Sequence, residues 1–164
     1  MFRHILVPTD GSALSQETSR QAVTFAKHVG ARITAYYAKP DMTSAFGFYD
    51  AGGKTGATTL QQIEQLIDDE AQKNLIFVEQ LCREAGVTCD TLATESDSPY
   101  ESILETAKQS GADLIFMASH GRKGLKARLI GSETIKVLTH SQIPVLVYRW
   151  GDDPAAIDAI AENR

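Results

Sequence analysis

Short apolar segments alternate with longer helical patterns along this chain, and the alternation limits the folds that are open to it. Residues 114–117 and 144–148 are apolar without polar alternation, as expected of strands that are covered on both faces. Residues 60–85 instead repeat their apolar positions at helical spacing, which predicts one long helix. The chain is therefore predicted to be a single-domain α/β protein with a doubly wound, five-stranded parallel sheet.

The expected strand order, 3-2-1-4-5, determines where a ligand would bind. In this order the first and fourth strands are neighbours, and ligands of doubly wound sheets bind beyond the carboxyl ends of the strands where the order reverses. The loop that follows Pro8 and the loop that follows Met117 should therefore meet at one crevice.

A basic, glycine-bearing loop joins the fourth strand to a helix that begins at Ser132. Unpaired backbone N–H groups and the helix dipole favour an anion at such a helix start, and glycine lets the backbone approach that anion closely. The formal net charge of the chain is −5, so four basic residues in one loop stand out. We interpret the loop as a cradle for a nucleotide phosphate, with a solvated loop as the alternative. The basic residues are Arg122, Lys123, Lys126 and Arg128, and His120 lies in the same cradle.

Asp10 follows the first strand, on the side where the crevice is predicted. A carboxylate there can accept hydrogen bonds from ribose hydroxyls or help to hold a magnesium ion. The alternative is a local role, in which Asp10 forms a turn with Gly11 or caps the next helix together with Ser12. We favour the ligand interpretation because the helix start at Gly131 and Ser132 is predicted to face Asp10.

Other motifs argue against better-known nucleotide sites and against catalysis. The segment Gly52-Gly53-Lys54-Thr55 lacks the first glycine of a Walker A loop, and no GxGxxG follows the first strand. The histidines show no metal-ligand spacing, and no combination of nucleophile, base and orienting group stands out. The sequence therefore indicates binding more clearly than catalysis.

Charge and hydropathy narrow the expected partners. An acidic chain is not expected to attract nucleic acid, and no apolar run approaches the roughly 18 residues of a membrane span. With no signal peptide evident at the start, we expect a cytoplasmic protein that does not insert into membranes.

Residues 39–59 lack periodicity, which favours a loop or a lid. Ser98 and Glu101 are predicted to form a capping box around Pro99.

Four motifs, taken together, resemble the universal stress protein family. They are ILVPTDGS at residues 5–12, SHG at 119–121, GS at 131–132 and IPVLV at 143–147. The resemblance covers residues 1–149 and leaves 150–164 as a C-terminal tail. It implies the adenine nucleotide alpha hydrolase-like fold and a homodimer formed through the last strand. That strand begins at Pro144 and ends at Tyr148, and as an exposed apolar edge it would invite pairing with a second copy.

The ATP-binding branch of this family carries the pattern Gly-x2-Gly-x9-Gly-Ser/Thr. Gly121 is followed here by nine residues and then by Gly131 and Ser132, which matches the pattern, whereas Ala118 stands at the first glycine. We expect the added methyl group to weaken nucleotide binding rather than abolish it, because the backbone amide is retained.

The resemblance also implies roles for individual residues. Asp10 would meet the ribose, Pro8 and Thr9 would lie beside the base, and the backbone of Ala38 would read the adenine edge. The phosphates would be bound through backbone N–H groups or a hydroxyl of Gly121, Gly131, Ser132 and Glu133. The predicted binding residues also include Ala118, His120 and Arg122 of the loop.

We therefore expect a protein that binds ATP, accompanied by Mg²⁺, and acts as a nucleotide-dependent sensor or regulator in the stress response. Two alternatives stay open. One is a nucleotide-free dimeric interaction protein, which Ala118 favours, and the other is a slow ATPase or self-phosphorylating protein that uses His120 or Ser132. A downstream protein partner is expected, but the sequence does not identify it.

Overall fold

The computed structural model describes residues 1–41, 60–120 and 130–149. Two candidate site residues, Gly121 and Arg122, lie outside the described residues, as do most of the predicted lid, the segment 52–55 and the tail 150–164. The described elements are β1 (His4–Pro8), α1 (Ala13–Val29), β2 (Arg32–Lys39), α2 (Leu60–Ala85), β3 (Cys89–Glu95), α3 (Pro99–Ser110), β4 (Leu114–Ala118), α4 (Ser132–His140) and β5 (Val145–Tyr148).

The strands form one five-stranded sheet in the order β3-β2-β1-β4-β5, and every neighbouring pair is parallel. The predicted fold class and strand order are confirmed. β1 lies at the centre, where Ile5 is level with Ile33 of β2 and with Leu114 of β4. The loops that leave β1 and β4 therefore start side by side.

Alternate residues of β1 enter two separate cores, one on each face of the sheet. Ile5 and Val7 pack with α1 and α2 on one face, whereas Leu6 packs with α3 and α4 on the other. All three side chains are fully buried. Two covered faces explain why the central strands are continuous apolar runs in the sequence.

Helix ends follow the sequence signals closely, with one exception at α3. Gly30 and Gly111 end α1 and α3 in the left-handed region, with φ of 70° and 69°, where glycine carries no steric penalty. Pro99 occupies the first turn of α3 as predicted.

The predicted capping box at the start of α3 is wrong. The Ser98 side chain makes no capping hydrogen bond, and the Glu101 carboxylate accepts the Tyr100 hydroxyl at 2.7 Å. The Tyr100 N–H donates instead to Glu133 Oε2 of α4, at 3.0 Å. A carboxylate from another helix has therefore taken the place of the local cap.

No helix within the described ranges is both long and apolar enough to cross a membrane.

Candidate functional site

A crevice of about 600 Å³ opens at the carboxyl ends of the central strands. It lies where the strand order reverses between β1 and β4, the position expected for a ligand site in a doubly wound sheet. Every candidate site residue in the described part of the chain lines it. These residues are Pro8, Thr9, Asp10, Ala38, Ala118, His120, Gly131, Ser132 and Glu133.

The turn between β1 and α1 holds Asp10 in a fixed orientation. Asp10 Oδ1 accepts the Ser12 N–H at 3.0 Å, and the Asp10 N–H donates to Ser15 Oγ at 3.2 Å. Ser15 Oγ is also 2.8 Å from Thr9 Oγ1, so the buried Thr9 hydroxyl is used within the turn. Asp10 thus makes the local turn bond that the alternative interpretation predicted, and its side chain also lines the crevice. The two roles are compatible.

The start of α4 supplies main-chain donors on the opposite side of the crevice. Helical hydrogen bonding begins when the Ile135 N–H donates to the Gly131 carbonyl at 3.0 Å. The amides of Ser132, Glu133 and Thr134 precede that bond and so have no acceptor within the helix. The Gly131 N–H, in contrast, already donates to the Ser119 carbonyl at 2.7 Å. The donors for an anion are therefore the three amides that follow Gly131.

Gly131 allows two segments of the chain to approach closely. A Cβ atom at this position would lie 3.1 Å from His120 Cα and 3.5 Å from the Ser119 carbonyl oxygen. The backbone conformation of Gly131 is ordinary, with φ of −65°, so glycine is required for space rather than for torsional freedom. A larger residue would push the start of α4 away from the end of β4.

Ala118, the departure from the glycine pattern, lies at the end of β4 and lines the crevice. Its carbonyl accepts a hydrogen bond from Thr134 Oγ1 at 3.0 Å, which joins β4 to the first turn of α4. Next to it, Ser119 Oγ lies 3.2 Å from His120 Nδ1. Ala118 and His120 are thus tied to the same strand-to-helix connection as Gly131.

The described lining is acidic. Asp10, Asp97 and Glu133 all contribute to it. Glu133 Oε1 accepts a hydrogen bond from Lys136 Nζ at 2.8 Å, and this bond raises the pKa of Lys136 above its ordinary value. Within the ranges that the structure describes, no group of three or more His, Cys, Asp or Glu residues is placed to hold a metal ion.

Several lining residues were not predicted from the sequence. For two of them a signal was available in the sequence. Tyr36 is two residues before Ala38 on β2, and Asp97 follows β3 at the same edge of the sheet. The additional lining residues are Ser15, Tyr36, Asp97, Pro99, Ile103, Met117 and Thr134.

Comparison with protein families matches residues 1–149 to the model described as the universal stress protein family. Among curated proteins, universal stress protein MJ0531 of Methanocaldococcus jannaschii is 32% identical over 149 residues, covering 91% of this chain and 83% of the relative. Universal stress protein YxiE of Bacillus subtilis is 29% identical, covering 91% of this chain and all of the relative.

Solved structures share the fold. The structure of protein MJ0577 superposes with a TM-score of 0.75 at 23% identity, covering 93% of this chain and 99% of that one. A universal stress protein in complex with cAMP gives a TM-score of 0.65 at 21% identity, covering 92% and 99%. The protein from Archaeoglobus fulgidus in complex with dAMP gives 0.61 at 17% identity, covering 90% and 97%.

Proposed function

We propose that this chain, which belongs to the universal stress protein family, binds ATP in the crevice and acts as a nucleotide-dependent sensor or regulator of the stress response in the cytoplasm. The observation that supports this most strongly is the position of Asp10 at the same crevice as the first turn of α4. One side offers a carboxylate for a sugar, and the other offers amides for an anion.

Each part of the ligand has a counterpart in this proposal. The ribose hydroxyls donate to the Asp10 carboxylate, and the base lies between Pro8 and the backbone of Ala38, which line the crevice on the β1 and β2 side. The phosphates accept from the amides of Ser132 and Glu133, where the helix dipole favours negative charge. His120 also lines the crevice and lies within reach of the same anion in this arrangement.

Adenine is the base that we propose because of the ligands in two structural neighbours. The neighbours with cAMP and dAMP contain a universal stress protein fold and an adenine nucleotide. Their identity to this chain is 21% and 17%, so they share the fold, and the transfer of the ligand class to this chain is our proposal. The crevice volume of about 600 Å³ is sufficient for a nucleotide.

Magnesium fits this site as a companion of the phosphates. Mg²⁺ is commonly bound through one or two carboxylates together with substrate phosphates and water. Asp10 supplies a carboxylate at the lining, and the described residues form no cluster that would hold the ion alone. When bound, the ion would neutralise phosphate charge, and the residues of the chain would orient the ribose and the phosphates.

Equilibrium binding of ATP tests the proposal. Nucleotide-free protein should bind ATP in isothermal titration calorimetry, and Gly131→Val should bind at least tenfold more weakly because the added atoms collide with His120. Thr139→Val is the control, because it places valine at an exposed position of α4 that does not line the crevice. Equal binding by the wild type and by Gly131→Val would argue against this site.

A nucleotide-free interaction protein of the same fold is the second candidate function. Ala118 favours it, because it lines the crevice at the position where the ATP-binding pattern has glycine. Mass spectrometry of small molecules released from gently purified protein distinguishes the two. Bound adenine nucleotide supports the first proposal, and its absence together with no ATP binding in titration supports the second.

We also propose that β5 mediates a homodimer. β5 is an edge of the sheet and carries the uncharged sequence VLVY. The opposite edge strand, β3, carries Asp90 and Glu95, which pair with Arg32 and Lys39 of β2. Charged residues protect an edge from pairing with another chain. β5 lacks that protection within its described residues and is the edge that favours a second copy.

A further inference from the structure

Glu133 is a carboxylate fixed at the crevice by one contact from α3 and one from the next turn of its own helix. It is the second residue of α4 and its side chain is about 38% exposed. Oε2 accepts the Tyr100 N–H of α3 at 3.0 Å, and Oε1 accepts Lys136 Nζ at 2.8 Å. The carboxylate is therefore held in place instead of extending freely into solvent.

The bond to Tyr100 also stabilises the start of α3. Ser98 provides no side-chain cap to that helix, so Glu133 satisfies a first-turn amide and places negative charge near the positive end of the dipole. Pro99, in the same turn, lines the crevice. Moving Glu133 away from the crevice would cost α3 this interaction.

A phosphate bound by the amides of α4 would lie close to this carboxylate, because the Glu133 amide and side chain belong to one residue. The phosphate and the Glu133 carboxylate are both negatively charged and therefore repel each other, and the repulsion grows with each charge on the ligand. Lys136 offsets part of the charge but is itself about 47% exposed, so solvent screens it. A ligand with fewer phosphate charges experiences less repulsion.

We propose that Glu133 makes the site select its nucleotide by phosphate charge, favouring a monophosphate or a cation-complexed triphosphate over the free triphosphate. This inference rests on the proposed function, since it requires an adenine nucleotide in the crevice. Glu133 is thus a specificity-determining residue whose backbone amide attracts the anion and whose side chain limits the anion's charge.

Calorimetric titration with adenosine, AMP and ATP, each with and without Mg²⁺, tests the inference. In Glu133→Gln the ratio of ATP affinity to adenosine affinity without Mg²⁺ should rise roughly three- to tenfold, and the rise should be smaller for AMP. The amide oxygen of glutamine can still accept the Tyr100 N–H. Glu105→Gln is the matched control, because it removes the same charge from an exposed position of α3 that does not line the crevice.

Lys136→Gln provides a test with the opposite sign. Removing the ammonium leaves the Glu133 charge uncompensated, so the ratio of ATP affinity to adenosine affinity should fall. An unchanged or lower ratio in Glu133→Gln would overturn the inference, as would a loss of Mg·ATP affinity that identified Glu133 as a magnesium ligand. If the wild type binds neither adenosine nor any nucleotide, the proposed function fails, which is a different result from an unchanged ratio.

Discussion

Gly11, in the turn that carries Asp10, packs directly against the side-chain amide of Asn74 on α2. A Cβ atom at Gly11 would overlap the Asn74 amide, and Gly11 has φ of 76°. Asn74 is 8% exposed, so it has little room to move. The long helix α2 therefore supports the turn that positions the crevice carboxylate, although α2 itself follows β2 in the chain.

Gly11→Ala should lower the free energy of unfolding by about 2 kcal/mol or more. The left-handed backbone costs a residue with a Cβ roughly 1–2 kcal/mol, and the overlap with Asn74 adds to it. Urea denaturation measures the change. In an Asn74→Ala background the overlap is removed, so the same substitution should cost less. An equal cost in both backgrounds would show that Asn74 does not press on the turn.

Asp10→Asn should weaken ATP binding by about tenfold, because a hydrogen bond from a ribose hydroxyl to a charged group is worth more than one to a neutral amide. The asparagine oxygen can still accept the Ser12 N–H, so the turn should keep its shape. Asp90→Asn makes the same chemical change on β3, where the carboxylate pairs with Arg32. Calorimetry should show a loss for the first variant and none for the second.

Val147→Pro should dissociate the proposed dimer. The Pro144 carbonyl accepts the N–H of Ile115 in β4, and the Tyr148 carbonyl accepts the N–H of Ser119, which follows β4. Because successive residues of a strand direct their backbone groups to opposite sides, Val147 directs its N–H toward the open edge. Proline removes that donor, whereas Val147→Ala retains it. Sedimentation equilibrium at micromolar concentration should give a dimer for the wild type and for Val147→Ala, but a monomer for Val147→Pro. A monomeric wild type would contradict the proposed interface.

Because of His4, the free energy of unfolding should decrease as the pH drops below about 6.5, the unperturbed pKa of histidine. Burial, together with nearby Arg32, lowers the pKa of His4. Its side chain is buried, and its Nε2 lies 2.7 Å from Thr34 Oγ1. The unfolded chain therefore binds a proton at a higher pH than the folded chain, so the stabilisation from neutral His4 is present above the unfolded pKa and decreases below it.

Chemical denaturation at a series of pH values measures this effect. His4→Gln, which cannot titrate, should show a shallower loss of stability with falling pH than the wild type. His28→Gln is the control, because His28 is exposed on α1. Parallel pH profiles for His4→Gln and the wild type would exclude His4 as the source.

The sheet and most helix ends could be predicted because their signals are local. Glycine ends α1 and α3, and apolar runs mark strands that are covered on both faces. The bond between Tyr100 and Glu133 could not be predicted, because it joins residues 33 positions apart. The sequence also contains a plausible local cap, the capping box of Ser98 and Glu101, and this was predicted instead. Sequence patterns identify which residues can cap a helix, whereas packing between helices decides which of them does.

The candidate site was predictable to the extent that it depends on strand order. Asp10 and Ser132 meet because β1 and β4 are neighbours. A tertiary contact, in contrast, decides which amides are available to an anion. The Gly131 N–H already donates to the Ser119 carbonyl. No pattern within residues 118–132 distinguishes the Gly131 amide from the amides that follow it.

Amide chemical shifts test the central claim most directly. When ATP is added to ¹⁵N-labelled protein, the largest changes among the described residues should fall on the amides of Ser132, Glu133 and Thr134, with further changes in the turn at Asp10. Adenosine should shift the turn at Asp10 but change the three α4 amides much less. Absence of shifts with ATP, or shifts centred away from the carboxyl ends of β1 and β4, would contradict the assignment of this crevice as a nucleotide site.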